Sequence, residues 1–287
     1  MTTLHASTPL GTPVVPAAIR KIVHRTGGRQ HGPVTRLVSP GDLGGLIKPF
    51  VFLDWARFEA DAFEKAGFGW HPHSGIATLT LILDGAIHYA DSTGAKGVLE
   101  SGAVEWFEAA GGAWHSGGGV EAGAVYQLWV ALPPGLENGP ATSRYLSPEN
   151  FPRRGPVRVI LGQWEGITSP IPAPSPMTYL DVILKAGEVW RFDPPAGQDV
   201  AWIAVHSGAV NVPETVASGE LVVFEHGDGA IVFQADQDAR FILGAAAKHP
   251  HDLVLGHYSV HTSQQALQDG ESNYRQVGKG LKLRGII

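Results

Sequence analysis

Two histidines one residue apart, His71 and His73, are the first residues in the sequence whose types and spacing could support chemistry. They occur in the segment GWHPHSGIATLTLILDG, directly before a run of strongly β-forming residues. Residues i and i+2 of a β-strand point to the same face, roughly 6–7 Å apart along the chain. Two imidazoles at that separation can bind one metal ion. The pair therefore predicts a metal site at the edge of a strand, a hypothesis that the rest of the sequence has to support.

A third candidate ligand is His115, in the segment EWFEAAGGAWHSGGGVEAG. A single histidine is more often an ordinary core or loop residue than a ligand. This one, however, follows a predicted strand and lies between two clusters of glycines. Glycine removes side-chain bulk and permits close approach of the backbone. We therefore expect His71, His73 and His115 to be the metal ligands. The sequence assigns no catalytic side chain, since Ser116 lacks the GxSxG pattern of a nucleophile elbow.

The composition is that of a folded protein without a strongly charged surface. The chain has 287 residues, of which 44% are hydrophobic and 17% charged, with a formal net charge of −6 and no cysteine. Lysine and arginine are not clustered, which argues against direct binding of nucleic acid. The absence of cysteine excludes disulfides and thiolate ligands. There is no signal-peptide pattern and no apolar run long enough to cross a membrane, so we expect a soluble cytoplasmic protein.

Short β-strands are the elements that must position the histidines. Apolar or alternating runs such as TLILDG, QLWVAL and LVVFEHG recur along the chain, separated by Gly, Pro, Asp, Asn or Ser. Regular short strands with turn residues between them predict an all-β sandwich or barrel. Helical patterning is limited to ADAFEKAG, at residues 60–67, and to the tail SVHTSQQALQDGESNYRQV.

The strand pattern occurs twice along the chain. The segments LTLILDGAIHYADSTGAKGVLESGAVEWFEA and VAWIAVHSGAVNVPETVASGELVVFEH share a strand, a Gly-Ala turn at Gly85 or Gly208, and a second strand. Two copies predict two stacked β-domains, with a boundary in a proline-rich stretch. We place an N-terminal domain with the metal site at residues 1–150. A C-terminal domain without metal, plus a tail that packs back on the body, covers residues 151–287.

The second copy is an internal control for the histidines. Alignment of the two copies places Pro194, Ala196 and Val232 opposite the three histidines. If the histidines were needed for folding, the second copy should keep something like them. The difference therefore indicates a function added to one copy of a shared fold.

Three segments together resemble the pirin family of the cupin superfamily: PFVFLDWARF, HPHSGIATLTLILDGAIHYADSTGAKGVLESGAVEWFEAAGGAWHS and QLWVAL. The tail KHPHDLVLGHYSVHTSQQALQDGE is similar to the family's closing segment, so the resemblance covers nearly the whole chain. It implies an all-β bicupin, with two stacked β-barrel (double-stranded β-helix) domains and a C-terminal strap or helix. It also implies one mononuclear metal site of the iron type in the N-terminal barrel, with His71, His73 and His115 as ligands.

One position departs from the pattern of the family. The fourth ligand that the resemblance implies is a glutamate two residues after the last histidine, where this chain has Gly117. The other position at which cupins place a carboxylate, four residues past the histidine pair, is Ala77. Three interpretations stay open. The site is a facial three-histidine site suited to Fe(II), Mn(II), Ni(II) or Zn(II), or Glu121 completes it from the glycine-rich loop, or the barrel is a relic with little affinity for metal.

Two functions follow as hypotheses. Some pirins are implied to be quercetin 2,3-dioxygenases, which predicts an oxidoreductase that uses Fe(II) and O₂ to open small flavonol-like or catechol-like substrates. Others are implied to be redox-sensitive partners of transcription factors, which predicts a non-enzymatic regulatory protein whose metal tunes its affinity for a protein partner.

Two further features have less specific interpretations. Asp54, in the segment FLDW, could hold a ligand imidazole by its second nitrogen, although a turn-forming aspartate at the end of a strand is the favoured interpretation. The histidines of the tail, in KHPHD and at His257 and His261, are expected to be solvated rather than to form a second metal site.

Overall fold

The computed structural model describes residues 20–59 and 69–287, and the predicted helix at residues 60–67 lies outside this part of the chain. Within it the helices are α1, Leu43–Ile47, and α2, Gln264–Leu283, with a single 3₁₀ turn at Pro148–Asn150. Neither helix in the described part combines the length and the apolar composition needed to span a membrane. The remaining regular structure is β-strand, as the sequence predicts.

The strands are distributed evenly between the two halves of the chain. The first half contains Ile22–Thr26 (β1), Arg29–His31 (β2), Val34–Val38 (β3), Phe50–Phe58 (β4), His71–His73 (β5), Ile76–Asp84 (β6), Ala86–Asp91 (β7), Lys96–Glu100 (β8), Val104–Glu108 (β9), Ala113–Gly119 (β10), Gly123–Ala131 (β11) and Thr142–Leu146 (β12). The second half contains Arg153–Arg154 (β13), Val157–Trp164 (β14), Ile167–Thr168 (β15), Met177–Leu184 (β16), Val189–Phe192 (β17), Val200–Ser207 (β18), Ala209–Val212 (β19), Glu214–Ala217 (β20), Leu221–Phe224 (β21), Ile231–Gln234 (β22), Ala239–Ala246 (β23), Val254–Gly256 (β24) and Ser259–His261 (β25).

Each half forms a barrel from one large and one small sheet. The first barrel combines the order β12-β9-β6-β11-β4-β3-β2 with the small sheet β5-β10-β7-β8. The second combines β1-β21-β18-β23-β16-β14-β13 with the small sheet β17-β22-β19-β20, and β15 pairs with β14. The two small sheets have the same order when the strands are counted along each half. The all-β bicupin class and the internal repeat are therefore confirmed.

The first described strand belongs to the second barrel. β1 pairs antiparallel with β21, with Thr26 opposite Leu221. Just before it, the Arg20 guanidinium donates to the carbonyl oxygens of Asp199 at 2.7 Å and Glu225 at 2.9 Å. The division at residues 150 and 151 stays a prediction, but residues 22–26 lie on the other side of it because an edge strand is borrowed from the start of the chain.

The long apolar strands are buried on both faces. In β6, Leu79 and Leu81 belong to an apolar cluster shared by the two barrels, whereas Thr80 and Ile82 point into the first barrel. β18 repeats this division, with Trp202 in the shared cluster. A strand covered on both sides needs apolar residues at nearly every position. This explains why the sequence shows continuous apolar runs instead of strict alternation.

The two Gly-Ala turns predicted from the repeat lie in equivalent places. Gly85 joins β6 to β7 with φ +76°, and Gly208 joins β18 to β19 with φ +69°. A Cβ atom at Gly85 would lie 2.2 Å from the carbonyl oxygen of Ala122, and one at Gly208 would lie 2.1 Å from that of Asp238. Both the left-handed conformation and the close backbone contact require glycine.

The alignment of the second copy with the histidines is shifted relative to the structure. β17 and β22 occupy the places of β5 and β10 in the second small sheet. Pro194 and Ala196 follow the end of β17, and Val232 of β22 is exposed. The residues that point inward there include Trp190 and Phe233, which belong to the apolar interior of the second barrel. The histidines still belong to the first barrel alone.

Candidate metal centre

Two neighbouring strands of the first small sheet carry the three candidate ligands. β5 supplies His71 and His73, which are separated by one residue and therefore share a face. β10 pairs antiparallel with β5 in a register that places His115 opposite His71. The Nε2 atom of His115 lies 3.0 Å from Nε2 of His71 and 3.2 Å from Nε2 of His73. The structure thus brings together the three histidines that the sequence singled out.

The second ring nitrogen of each histidine has its own partner. Nδ1 of His71 donates to the carbonyl oxygen of Gly69 at 2.8 Å, and Nδ1 of His73 donates to that of Tyr258 at 3.0 Å. A carbonyl oxygen can only accept, so the proton of each neutral ring is on Nδ1 and the lone pair is on Nε2. Nδ1 of His115 faces a carboxylate oxygen in the same way.

When all three rings are neutral, their Nε2 atoms cannot hydrogen-bond to one another, because none of them carries a proton. In that state their convergence is favourable only around a cation. Two nitrogens at about 2.1 Å from one ion lie roughly 3.0 Å apart at a right angle and roughly 3.4 Å apart at the tetrahedral angle. The observed separations of 3.0 and 3.2 Å fall in this range. The residues present therefore fit a divalent metal ion, and residues 20–59 and 69–287 contain no second cluster of this kind.

Burial keeps His71 and His73 neutral. Loss of solvent and, to a smaller extent, the proximity of His115 lower the pKa of His71 to about 3, against the opposing effect of the Gly69 carbonyl. Burial likewise lowers the pKa of His73 well below its ordinary value, with His71 and His115 adding to the effect. The neutral ring is the form that binds metal, so these two rings are ready ligands at physiological pH.

Glu105 on β9 is the residue of the site that the sequence analysis missed. Its Oε1 lies 3.3 Å from Nδ1 of His115, and its Oε2 accepts a hydrogen bond from Oγ1 of Thr80 at 2.5 Å. The side chain is buried in the wall of the cavity described below. A signal did exist: Glu105 stands between the buried residues Val104 and Trp106, and a carboxylate in the middle of an apolar strand is rare unless it has a partner.

The three positions considered for a directly bound carboxylate differ in where they lie relative to the histidines. Gly117 lies on the same face of β10 as His115, and a Cβ atom there would meet only the carbonyl oxygen of His88, at 3.4 Å. Ala77 belongs to the cluster shared by the barrels and faces away from the site. Glu121 is exposed beyond the end of β10 and lies outside the ligand cluster. The structure therefore does not place Glu121 among the candidate ligands.

Asp54 has neither of the roles considered for it. It lies in the middle of β4 and not at a strand end. Its two carboxylate oxygens accept hydrogen bonds from Nε and Nη2 of Arg36, both at 2.9 Å, and the guanidinium lies over the ring of Phe52. The carboxylate that faces a ligand imidazole is that of Glu105. The pair of Asp54 and Arg36 instead forms part of the cavity wall.

The three histidines lie in the wall of a cavity of about 1030 Å³ inside the first barrel. The ring of Trp129 stacks on Phe52 with centroids 4.1 Å apart and meets His73 edge-on at 4.9 Å. The ring of Tyr258 lies 5.7 Å from that of His71, at the exposed side of the cavity. Pockets for small molecules usually enclose about 300–1,000 Å³ and have mostly apolar, aromatic walls. This cavity is large enough for a fused-ring ligand.

The C-terminal segment closes one side of this cavity. The turn between β24 and β25 holds Tyr258 at φ +56°, a strained conformation for a bulky residue, and its carbonyl oxygen accepts the proton of His73 Nδ1. Helix α2 packs on β10, where Nε1 of Trp114 donates to the carbonyl oxygen of Tyr274 at 2.7 Å. The tail therefore supports both ligand-bearing strands.

Two histidines of the tail are buried, contrary to the expectation that they are solvated. His261 lies with Nε2 3.0 Å from Oγ of Ser74 and Nδ1 3.3 Å from a carboxylate oxygen of Glu137. Because Ser74 directly follows β5, this contact anchors the tail beside the ligands. His249 is also buried, whereas the other two histidines of the segment are exposed.

Comparison with known proteins finds relatives along most of the chain. The family described as Pirin matches residues 34–130. A Pseudomonas aeruginosa protein provisionally named as a quercetin 2,3-dioxygenase is 32% identical over 230 residues, which cover 74% of this chain and 79% of that protein.

Solved structures share the fold at lower sequence identity. The crystal structure of quercetin 2,3-dioxygenase from Acinetobacter baumannii has a TM-score of 0.80 and 22% identity, covering 90% of this chain and 98% of that one. A bacterial pirin from Escherichia coli, in complex with nickel(II), has a TM-score of 0.64 and 20% identity, covering 80% and 98%. On the strength of the sequence relative and the matched family pattern, this chain belongs to the pirin family.

Proposed function

We propose that the protein binds one divalent metal ion through His71, His73 and His115 and oxygenates a planar, electron-rich substrate of the flavonol or catechol type. The observation that carries this proposal is the convergence of three unprotonated imidazole nitrogens in the wall of a cavity of about 1030 Å³. The naming of a sequence relative as a quercetin 2,3-dioxygenase supports the choice of substrate class.

Fe(II) is the metal we favour, and the same three nitrogens also suit Mn(II), Ni(II) or Zn(II). A redox-active ion would supply the one-electron chemistry with O₂ that amino-acid side chains do not supply. Three neutral ligands leave the centre cationic, so an anionic oxygen of the substrate is attracted there.

The cavity walls hold and orient the substrate in this proposal. The stacked rings of Phe52 and Trp129 give an apolar, aromatic wall beside His73. The ring of Tyr258 also borders the histidine cluster, 5.7 Å from that of His71 and 5.9 Å from that of His73. Flat aromatic walls favour planar ligands through stacking and keep water away from them.

The carboxylates of the cavity wall are already engaged. In the described part of the chain these are Asp54, which Arg36 holds by both oxygens, and Glu105, which lies on the far side of His115. Position 117, on the inner face of β10, is glycine. The substrate hydroxyl therefore loses its proton to solvent, so substrates with more acidic hydroxyls should react faster. The rate should follow the pKa of the substrate.

Oxygen uptake by the Fe(II)-loaded protein, with quercetin and simpler catechols, tests the proposal. We expect uptake that depends on substrate and is abolished by His71→Ala. His88→Ala is the matched control, since this exposed histidine lies on β7 of the same sheet and outside the cavity wall. Tight metal binding with no uptake across the panel would contradict the enzyme. It would favour the alternative, a regulatory protein whose metal changes its affinity for a protein partner.

A further inference from the structure

Glu105 is a buried carboxylate whose ion-pair partner in the described part of the chain is a histidine, not a lysine or arginine. Its relative exposure is 4%, and its hydrogen-bonding partners are Thr80 and His115. Within residues 20–59 and 69–287, no lysine or arginine lies within ion-pair distance of it. A buried carboxylate that lacks a counter-charge is strongly unfavourable. Positive charge beside Glu105 is therefore favoured, and a cation bound at Nε2 of His115 would supply it.

A chain of donors is directed at this carboxylate. Oγ1 of Thr80 lies 2.5 Å from Glu105 and 2.9 Å from the side-chain oxygen assigned to Gln127, but its single proton can serve only one acceptor. The amide nitrogen of Gln127 is buried without a partner in the assigned orientation. Turning the amide over, which leaves its shape unchanged, lets that nitrogen donate to Thr80 while Thr80 donates to Glu105.

The three ligand imidazoles differ in what holds their second nitrogen. His71 and His73 donate to neutral carbonyl oxygens, whereas His115 faces the charged Glu105. A carboxylate at this position fixes the ring and raises the basicity of the ligating nitrogen, which strengthens binding of a cation.

We propose that Glu105 supplies, through the ring of His115, the negative charge that a directly bound glutamate at position 117 would otherwise supply. This inference rests on the proposed metal site. With a divalent ion and three neutral imidazoles, one outer carboxylate brings the total charge of the centre to +1, the same total that a fourth, carboxylate ligand would give. Glu105 acts through His115 and is a positioning residue.

Glu105→Gln tests the proposal because it keeps the size of the side chain and removes the charge. Glu108→Gln is the matched control, since Glu108 lies on the same strand and outside the cavity wall. Dissociation constants for Ni(II) and Co(II) are measured by chelator competition. We expect Glu105→Gln to weaken binding roughly 10–100-fold and Glu108→Gln to leave it unchanged. Adding Gly117→Glu to Glu105→Gln should restore most of the loss.

Thermal unfolding of the metal-free proteins separates this role from a structural one. A merely structural Glu105 would make the metal-free variant less stable than the metal-free wild type. The proposal predicts equal or higher stability, because an unpaired buried charge has been removed. Wild-type affinity in Glu105→Gln, or a lower melting temperature of its metal-free form, overturns the inference and leaves the three-histidine site standing. A wild-type protein that binds neither ion overturns both.

Discussion

The two barrels share a strand order and differ in what fills them. In the second barrel, Trp190 stacks on Phe233 at 5.1 Å and Phe233 stacks on Phe241 at 4.9 Å, within one continuous apolar cluster. In the first barrel, the strands at the same place in the small sheet carry histidines instead and border an open cavity. The comparison shows that this scaffold closes without the histidines. The polar interior of the first barrel therefore needs a functional explanation.

The difference is concentrated on the pair of strands β5–β10 and its counterpart β17–β22. The second pair brings aromatic rings inward, where they pack against neighbours from both sheets. The first pair brings three lone pairs to one point. Converging lone pairs contribute nothing to an apolar core, so the first barrel gives up packing at this place in exchange for a binding site.

The largest expected effect is the loss of metal when a ligand is removed from the first barrel. His115→Ala should abolish stoichiometric metal binding, an effect well beyond the roughly 10–100-fold expected of an outer carboxylate. Because the second barrel folds without such residues, circular dichroism should show an unchanged fold. An unfolded variant would instead mean that the histidines are structural and that the comparison fails.

Truncation of a core side chain in the second barrel should lower stability and leave metal binding unchanged. Phe233→Ala removes a fully buried ring from the packed interior and should lower the free energy of unfolding by about 3–5 kcal/mol. Urea unfolding of the metal-free protein measures this loss. The affinity for Ni(II) should not change, and a large drop in affinity would show that packing inside the second barrel supports the metal site.

A smaller effect is expected from restoring a carboxylate to the first barrel. Gly117→Glu should raise the affinity for Ni(II) by roughly tenfold, because the carboxylate of the new glutamate adds a fourth, negatively charged ligand to the three nitrogens. The position has room, since the nearest atom to a new Cβ would be the His88 carbonyl oxygen at 3.4 Å. Val120→Glu adds the same charge at an exposed position beyond β10 and is the control. Equal affinity in both variants would count against the geometry described for β10.

The smallest effect, taken per pH unit, concerns the pH dependence of stability. In the folded, metal-free protein the pKa of His71 is about 3, against 6.5 for the ordinary side chain. The unfolded chain therefore takes up this proton first, and stability falls as the pH drops below 6.5, by about 1 kcal/mol per pH unit for one such group. His71→Asn should flatten this dependence in urea unfolding at about pH 7 and pH 5. An unchanged slope would mean that His71 is protonated as easily in the fold as outside it.

The parts of the structure that the sequence predicts are those encoded by local sequence patterns. His71 and His73 sit two residues apart on one strand, and Gly85 and Gly208 mark the same turn in both copies. The missing carboxylate at Gly117 is visible in the same way, as one position in a short motif. Such features depend only on strand periodicity and turn geometry, so they can be recognised without a three-dimensional structure.

The parts that the sequence does not predict depend on pairing between distant strands. Glu105 joins the site because β9 pairs with β6 in a register that sets it opposite Thr80. His261 is buried because the tail folds back over β5. There His261 and Ser259 both contact Ser74, which precedes them in the chain by 187 and 185 residues. β1 crosses to the second barrel for the same kind of reason. Composition and spacing do not indicate which distant strands pair or where the tail packs, because tertiary packing determines both.

Metal analysis of the untagged protein, purified without chelators, tests the central claim most directly. The account predicts about one divalent ion per chain, and its loss when His71 and His73 are both replaced by alanine. A wild-type protein that is isolated without metal, and that takes up neither Fe(II) nor Ni(II) when they are added, would contradict it.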